Sequence, residues 1–186
     1  MATEPTLYFG YGSNLWLEQM AARCPTSVYR GVALIPHWQW IINGRGYANI
    51  VTASSDDTGS PHSIVYGLVF ALQPEDEARL DVYEGVAGGA YEKQRVTALF
   101  WPAEGKTRVN TSVSVPESRE MLVYVDRKNT QPYLPRTEYI RRMNNGIADA
   151  MMLGVPAKYI QDVMRPFILP DGEYDENGNW ILGPGA

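Results

Sequence analysis

The chain is poor in cysteine and histidine. Cys24, His37 and His62 are the only residues of these types among 186. A single thiol cannot close an internal disulfide, so nothing points to an oxidising compartment. Three such ligands scattered along the chain are too few for a structural zinc site. A Cys–His nucleophile is a poor fit as well, because Cys24 precedes Pro25 at what reads as a helix exit and no acid partner is evident. Lysine is scarce too: Lys93, Lys106, Lys128 and Lys158 are scattered, and Arg141–Arg142 is the one pair of adjacent arginines. Sixteen basic residues against twenty-one acidic ones leave a net charge of −5. The dense basic patch that a phosphate backbone requires is missing. Trp38, Trp40 and the twelve tyrosines lack the interleaved cations of a stacking platform, and read as core and pocket walls. No apolar run approaches the ~18 residues of a membrane span. The polar start, with its first basic residue at Arg23, lacks the pattern of a signal peptide. These absences predict a cytoplasmic protein with no nucleic-acid or membrane partner and no bound metal.

At roughly 150 residues per domain, the length predicts one domain over 1–186. Runs rich in β-branched and aromatic residues predict strands at Leu7 to Gly10, Ala33 to Ile42 (interrupted by Pro36), Ile64 to Leu72, Arg95 to Trp101 and Glu120 to Val125. Asn14 reads as the cap of a helix through Leu15, Leu17, Met20 and Ala21. Pro74 to Glu84 opens with proline and acids and is stopped by Gly85. Arg136 to about Leu153 carries Tyr139, Ile140, Met143, Ile147, Ala150 and Met151 on one helical stripe, and a shorter helix runs from Ala157 to Met164. Strands and helices do not alternate, so the class is α+β, with an antiparallel barrel or strongly curled sheet rather than a doubly wound one. The Gly/Pro/Asp-rich stretch of about 170–186 reads as an irregular tail.

Two segments could carry chemistry. In Phe9-Gly10-Tyr11-Gly12-Ser13-Asn14-Leu15, two glycines and a serine at a strand-to-helix junction can point backbone N–H groups into one concavity, an arrangement that binds anions. A plain tight turn is the alternative. A dinucleotide loop needs a third glycine, and a nucleophile elbow needs glycines flanking Ser13; neither is present. The second segment runs from Leu80 to Tyr91. It places Glu84 at a helix C-terminus, where the macrodipole disfavours an anion by roughly 0.3–1 kcal/mol. Burial there would raise the carboxyl pKa and suit it to proton exchange near neutral pH. The alternative is a solvated glutamate before a capping glycine.

Taken together, these segments resemble the γ-glutamylcyclotransferase family. Tyr8 to Leu15 is similar to its YGSN loop, and Leu80 to Val86 followed by Gly89-Ala90-Tyr91 is similar to its LDxxEGV…Y segment. Tyr47 to Val51 and Val65 to Phe70 resemble its ANI and GVVY-type strands, and Pro135 to Tyr139 resembles the start of its C-terminal helix. The likeness covers roughly residues 6–165. It implies a small mixed, mostly antiparallel β-barrel with packed helices, and a cofactor-independent acyltransferase or lyase acting on a small γ-glutamyl compound. In that chemistry the substrate's α-amino group attacks its own γ-carbonyl, releasing 5-oxoproline and a free amine. The resemblance assigns Glu84 as the catalytic acid/base. It assigns Tyr8, Phe9, Gly10, Tyr11, Gly12, Ser13, Asn14, Tyr91 and Tyr139 as substrate-binding residues. It leaves a homodimer open.

Gly10 departs from the alanine more usual in dipeptide-type members. The FGYGS start is similar to glutathione-specific members, whereas Asn14 and the EGV segment are similar to the dipeptide type. The YGTLK-like loop of γ-glutamylamine-type members is absent. Two other readings stand beside the cyclotransferase: the same glutamate used for isomerisation, cyclisation or γ-glutamyl removal in secondary metabolism, and a non-catalytic carboxylate-binding module.

Overall fold

β-branched and aromatic residues gather into strands β1 Thr6–Gly10, β2 Val28–Pro36, β3 Trp38–Ile42, β4 Ala48–Thr52, β5 Ile64–Leu72, β6 Glu92–Pro102 and β7 Glu117–Val125. The structure is a computed structural model that describes residues 4–54 and 59–170. Five of the strands close into a barrel in the order β1-β5-β2-β6-β7. Four of its seams are antiparallel. The fifth, where β1 meets β7 at Tyr8 opposite Leu122, is parallel. β3 and β4 form a separate antiparallel hairpin, with Trp40 opposite Ile50.

Period-two patterning gives the barrel its inside. Along β6, Val96, Ala98 and Phe100 are buried while Arg95, Thr97 and Leu99 face outward. Phe9, Leu68 and Met121 are fully buried, and such side chains contribute about 2 kcal/mol each in apolar burial.

Helices α1 Leu17–Arg23, α2 Pro74–Tyr83 and α3 Thr137–Leu153 follow, then α4 Ala157–Tyr159. α3 turns Tyr139, Ile140, Met143, Ile147, Ala150 and Leu153 inward. It packs on the 3₁₀ turn Ser13–Leu15 that follows β1. The Asp149 carboxylate on α3 accepts the Leu17 N–H at 2.8 Å, supplying an acceptor for the first turn of α1.

Three expectations change. The extended stretch from Ala33 to Ile42 is two strands, because His37 adopts φ 65° and turns the chain out of the barrel into the hairpin. That turn is held by the His37 N–H donating to the Ser63 carbonyl and the His37 carbonyl accepting from Ala53. Asn14 does not cap α1. It lies inside the 3₁₀ turn and Trp16 takes the N-cap position, because the Asn14 side chain is committed elsewhere. The last helix is α-helical for one turn only and continues as a π-helical turn, Ile160–Met164. The tail expected over about 170–186 lies, beyond residue 170, outside the described residues.

Candidate active site

The site begins where β1 ends. Alternation along β1 sends Phe9 into the core, completely buried, while Tyr8 lines a cavity of about 270 Å³. Past Gly10 the chain bends into the 3₁₀ turn, and side chains from the rest of the fold fasten this bend. The Tyr11 hydroxyl donates to the Tyr124 carbonyl, and the Trp40 indole N–H donates to the Tyr11 carbonyl at 2.9 Å. The Ser13 N–H donates to the Tyr139 hydroxyl at 3.1 Å. A β-carbon on Gly12 would sit 2.8 Å from that hydroxyl, so the close approach requires glycine. The loop's N–H array is therefore partly taken by the protein itself.

Glu84 enters from another direction. α2 starts on Pro74, carries Glu75, Asp76 and Glu77 in its first turn, and ends with Glu84 at the C-cap position. Gly85 follows with φ 63°, a left-handed conformation that glycine adopts without cost and that stops the helix there. The result brings Glu84 against Asn14 across 70 residues of sequence: Asn14 Nδ2 donates to Glu84 Oε1 at 3.2 Å and to the Tyr8 hydroxyl at 2.9 Å. The other end of the same amide accepts from Gln19 Nε2 at 2.9 Å and from Arg23 Nη1 at 3.0 Å. With both ends satisfied, the amide has one orientation.

Glu84 keeps some solvent contact as a residue, while its carboxyl lies deep in the cavity. Burial pushes that carboxyl above its ordinary range, against the pull of the Arg23 guanidinium, the Asn14 amide, Arg45 and Arg142. Its place at the end of a helix acts in the same direction as burial. Burial also holds the hydroxyls of Tyr8, Tyr11, Tyr91 and Tyr139 above their usual range, so all four are neutral at physiological pH.

Of the residues singled out from sequence, Tyr8, Tyr11, Gly12, Ser13, Asn14, Glu84, Tyr91 and Tyr139 line this one cavity. Phe9 and Gly10 do not. Phe9 faces the core and Gly10 is the last residue of the strand, so they support the loop from behind. Tyr91 donates to the Ala48 carbonyl at 2.7 Å, tying the segment after Glu84 to β4.

The sequence reading missed the cations. Arg23, Arg45 and Arg142 all line the cavity, and Glu84 is its one carboxylate among the described residues. Arg45 is held by the buried Asp126 carboxylate at 3.0 Å and lies over the Tyr91 ring. Arg142 is paired with Glu138 one helical turn back and reaches Ser13 Oγ at 3.2 Å. Arg142 belongs to the one pair of adjacent arginines, which was the only signal available; Arg23 and Arg45 stand singly in sequence. An arrangement of three guanidiniums, one proton-accepting carboxyl and neutral phenols suits a small ligand that carries both carboxylate and ammonium groups. No group of three or more His, Cys, Asp or Glu residues that could hold a metal occurs among the described residues.

Residues 8–141 match the family described as "Gamma-glutamyl cyclotransferase, AIG2-like". The chain belongs to this family. It is 28% identical over 171 residues to a bovine gamma-glutamylcyclotransferase, covering 87% of this chain and 89% of that protein. A solved gamma-glutamyl cyclotransferase superposes with a TM-score of 0.67 at 23% identity, over 94% of this chain and 95% of the other. A human protein of known structure gives a TM-score of 0.68 at 22% identity, over 94% of both chains. These two likenesses establish that the gamma-glutamylcyclotransferase fold is shared. Among the described residues no helix is long and apolar enough to cross a membrane.

Proposed function

We propose that the protein is a γ-glutamylcyclotransferase that uses Glu84 as its single acid/base. The observation that carries this reading is the contact of the Glu84 carboxyl, raised above its ordinary range by burial, with the Asn14 amide of the loop after β1. A substrate held by that loop would present its α-ammonium to Glu84. The carboxylate takes a proton from the ammonium, and the freed nitrogen lone pair attacks the γ-carbonyl carbon. One C–N bond forms, closing the five-membered lactam, and the C–N bond to the departing amine breaks. Two protons leave the α-nitrogen in all, and both end on the departing nitrogen, so 5-oxoproline and a protonated amine are released with charge conserved. Glu84 suits both halves, because a group whose pKa lies closer to neutrality accepts and returns a proton readily.

Nucleophile and electrophile belong to one molecule, so the enzyme gains chiefly by holding the chain folded; well-oriented intramolecular reactions reach effective molarities of about 10⁵–10⁸ M. Neutral, buried Tyr8, Tyr91 and Tyr139 would wall the glutamyl moiety, and the paired Arg45 and Arg142 would supply positive potential for its carboxylate.

The test is direct. Wild-type protein is incubated with γ-glutamyl-alanine, γ-glutamyl-lysine and glutathione, and 5-oxoproline is measured by mass spectrometry. Release of 5-oxoproline from at least one of them supports the reading, and its absence from all three contradicts it.

A further inference from the structure

Asp126, just past β7, is 1% exposed and does not line the cavity, yet its carboxylate collects donors from several sides. Asn43 Nδ2 donates at 3.0 Å and Asn129 Nδ2 at 2.9 Å, and the backbone N–H groups of Lys128 and Asn129 donate at 2.9 and 3.0 Å. The Asn49 side chain takes up the Asp126 backbone N–H at 2.9 Å and its carbonyl at 2.8 Å. Burial alone would raise the Asp126 carboxyl. The donors from Asn129 and Lys128 and the Arg45 charge hold it below its ordinary range, so it is ionised at neutral pH.

This anchored anion grips Arg45. Arg45 Nε donates to Asp126 Oδ2 at 3.0 Å, Nη2 donates to the Ala90 carbonyl at 3.1 Å, and the guanidinium lies over the Tyr91 ring, 4.7 Å from its centroid. Nη1 makes no hydrogen bond among the described residues, and Arg45 lines the cavity with 31% of its side chain accessible. The other two cavity arginines are engaged differently. Arg142 spends Nε and Nη2 on Glu138 and Nη1 on Ser13 and Gln19. Arg23 donates to Asn14, and its charge acts on the Glu84 carboxyl. A buried ion pair is weak support for stability, so the asymmetry of this one, with Asp126 sealed and Arg45 open, points to a role at the open edge.

The α-ammonium and α-carboxylate of a γ-glutamyl group share one carbon, so an ammonium at Glu84 brings the carboxylate close beside it. Ala90 and Tyr91, which Arg45 holds, follow Glu84 in the same segment. We infer that Asp126 is a positioning residue, fixing Arg45 so that its Nη1 edge receives the α-carboxylate of the glutamyl group. The inference rests on the cyclotransferase reading. A guanidinium fixed before the substrate arrives spares the entropy of ordering a long side chain on binding, and its planar fork keeps one direction.

The experiment compares kcat/KM for γ-glutamyl-alanine and for the same compound with its α-carboxylate converted to carboxamide, in wild type, Arg45→Met, Asp126→Asn and the double variant. Release of the departing amine is followed; if the wild type prefers glutathione or γ-glutamyl-lysine, that compound and its α-carboxamide form the pair. The ratio of the two values is taken within one preparation, so loss of folded protein cancels. In Arg45→Met the preference for the carboxylate should fall by about tenfold or more, the worth of a charge-assisted hydrogen bond. In Asp126→Asn it should fall by roughly two- to tenfold, through the KM of the carboxylate compound, because Arg45 is kept but must be ordered by the substrate. The double variant should lose no more than Arg45→Met alone. A merely structural role lowers kcat/KM for both compounds alike, so an unchanged ratio in either single variant overturns the inference. If Asp126→Asn does not fold, Asp126→Glu, which shifts the charge by one methylene, takes its place under the same expectation, and Arg45→Met decides the contact in either case. Equal or better turnover of the carboxamide by the wild type removes the inference and leaves the cyclotransferase reading standing. If the wild type releases 5-oxoproline from no γ-glutamyl compound, both are lost.

Discussion

Glu84 is a carboxyl whose surroundings oppose one another: burial favours the neutral form, and Arg23, Asn14, Arg45 and Arg142 favour the ionised one. Because the balance lies above the ordinary value of 4.5, the folded protein binds the proton more tightly than the unfolded chain does. Ionised Glu84 therefore lowers stability as pH rises through its folded-state pKa. Glu84→Gln should melt no lower than the wild type at pH 8, and its advantage should shrink as pH falls toward 4, as read by thermal melts across that range. The same shift places the acid limb of kcat/KM above pH 4.5, with activity rising as the carboxyl ionises. Tyr139 makes a different kind of contribution. Its hydroxyl accepts the buried Ser13 N–H, so Tyr139→Phe leaves that donor without a partner, at a cost of about 1–3 kcal/mol. Urea unfolding should register that loss, and turnover should weaken rather than vanish.

The elements show which features of the site can be read from sequence. Pro74, the acids behind it and Gly85 mark both ends of α2, so the place of Glu84 at a helix C-terminus was legible from local chemistry. Gly85 also supports a prediction: an alanine at φ 63° costs roughly 1–2 kcal/mol and its β-carbon would lie 3.0 Å from that of Ala90. Gly85→Ala should lower both melting temperature and kcat, because the strain is relieved by moving Glu84. The split of the stretch from Ala33 to Ile42 was not legible, since a non-glycine residue at positive φ leaves no mark on the hydrophobic pattern, and Pro36 suggested only an interruption. Asn14 misled for a physical reason. The features that make asparagine a good cap, a short side chain with donor and acceptor, are those that let it bridge Glu84 and Arg23.

At the scale of the whole molecule, the barrel joins what the sequence separates. Strand order β1-β5-β2-β6-β7 is set by pairings between distant segments, and a sequence pattern carries little of that information beyond the α+β class. The arginines follow the same logic: Arg23, Arg45 and Arg142 come from α1, the turn between β3 and β4, and α3, and converge only when the helices dock on the barrel. The central claim is that one carboxyl performs the proton transfers while the rest of the cavity binds. The most direct measurement is 5-oxoproline release by folded Glu84→Gln, alongside calorimetric titration with the substrate that the wild type turns over. Glutamine keeps the shape of the side chain and cannot exchange a proton near neutral pH. The account predicts binding close to wild type and turnover reduced by about 10²–10⁴-fold. Wild-type turnover in the folded variant would contradict it and assign the proton transfers to another group.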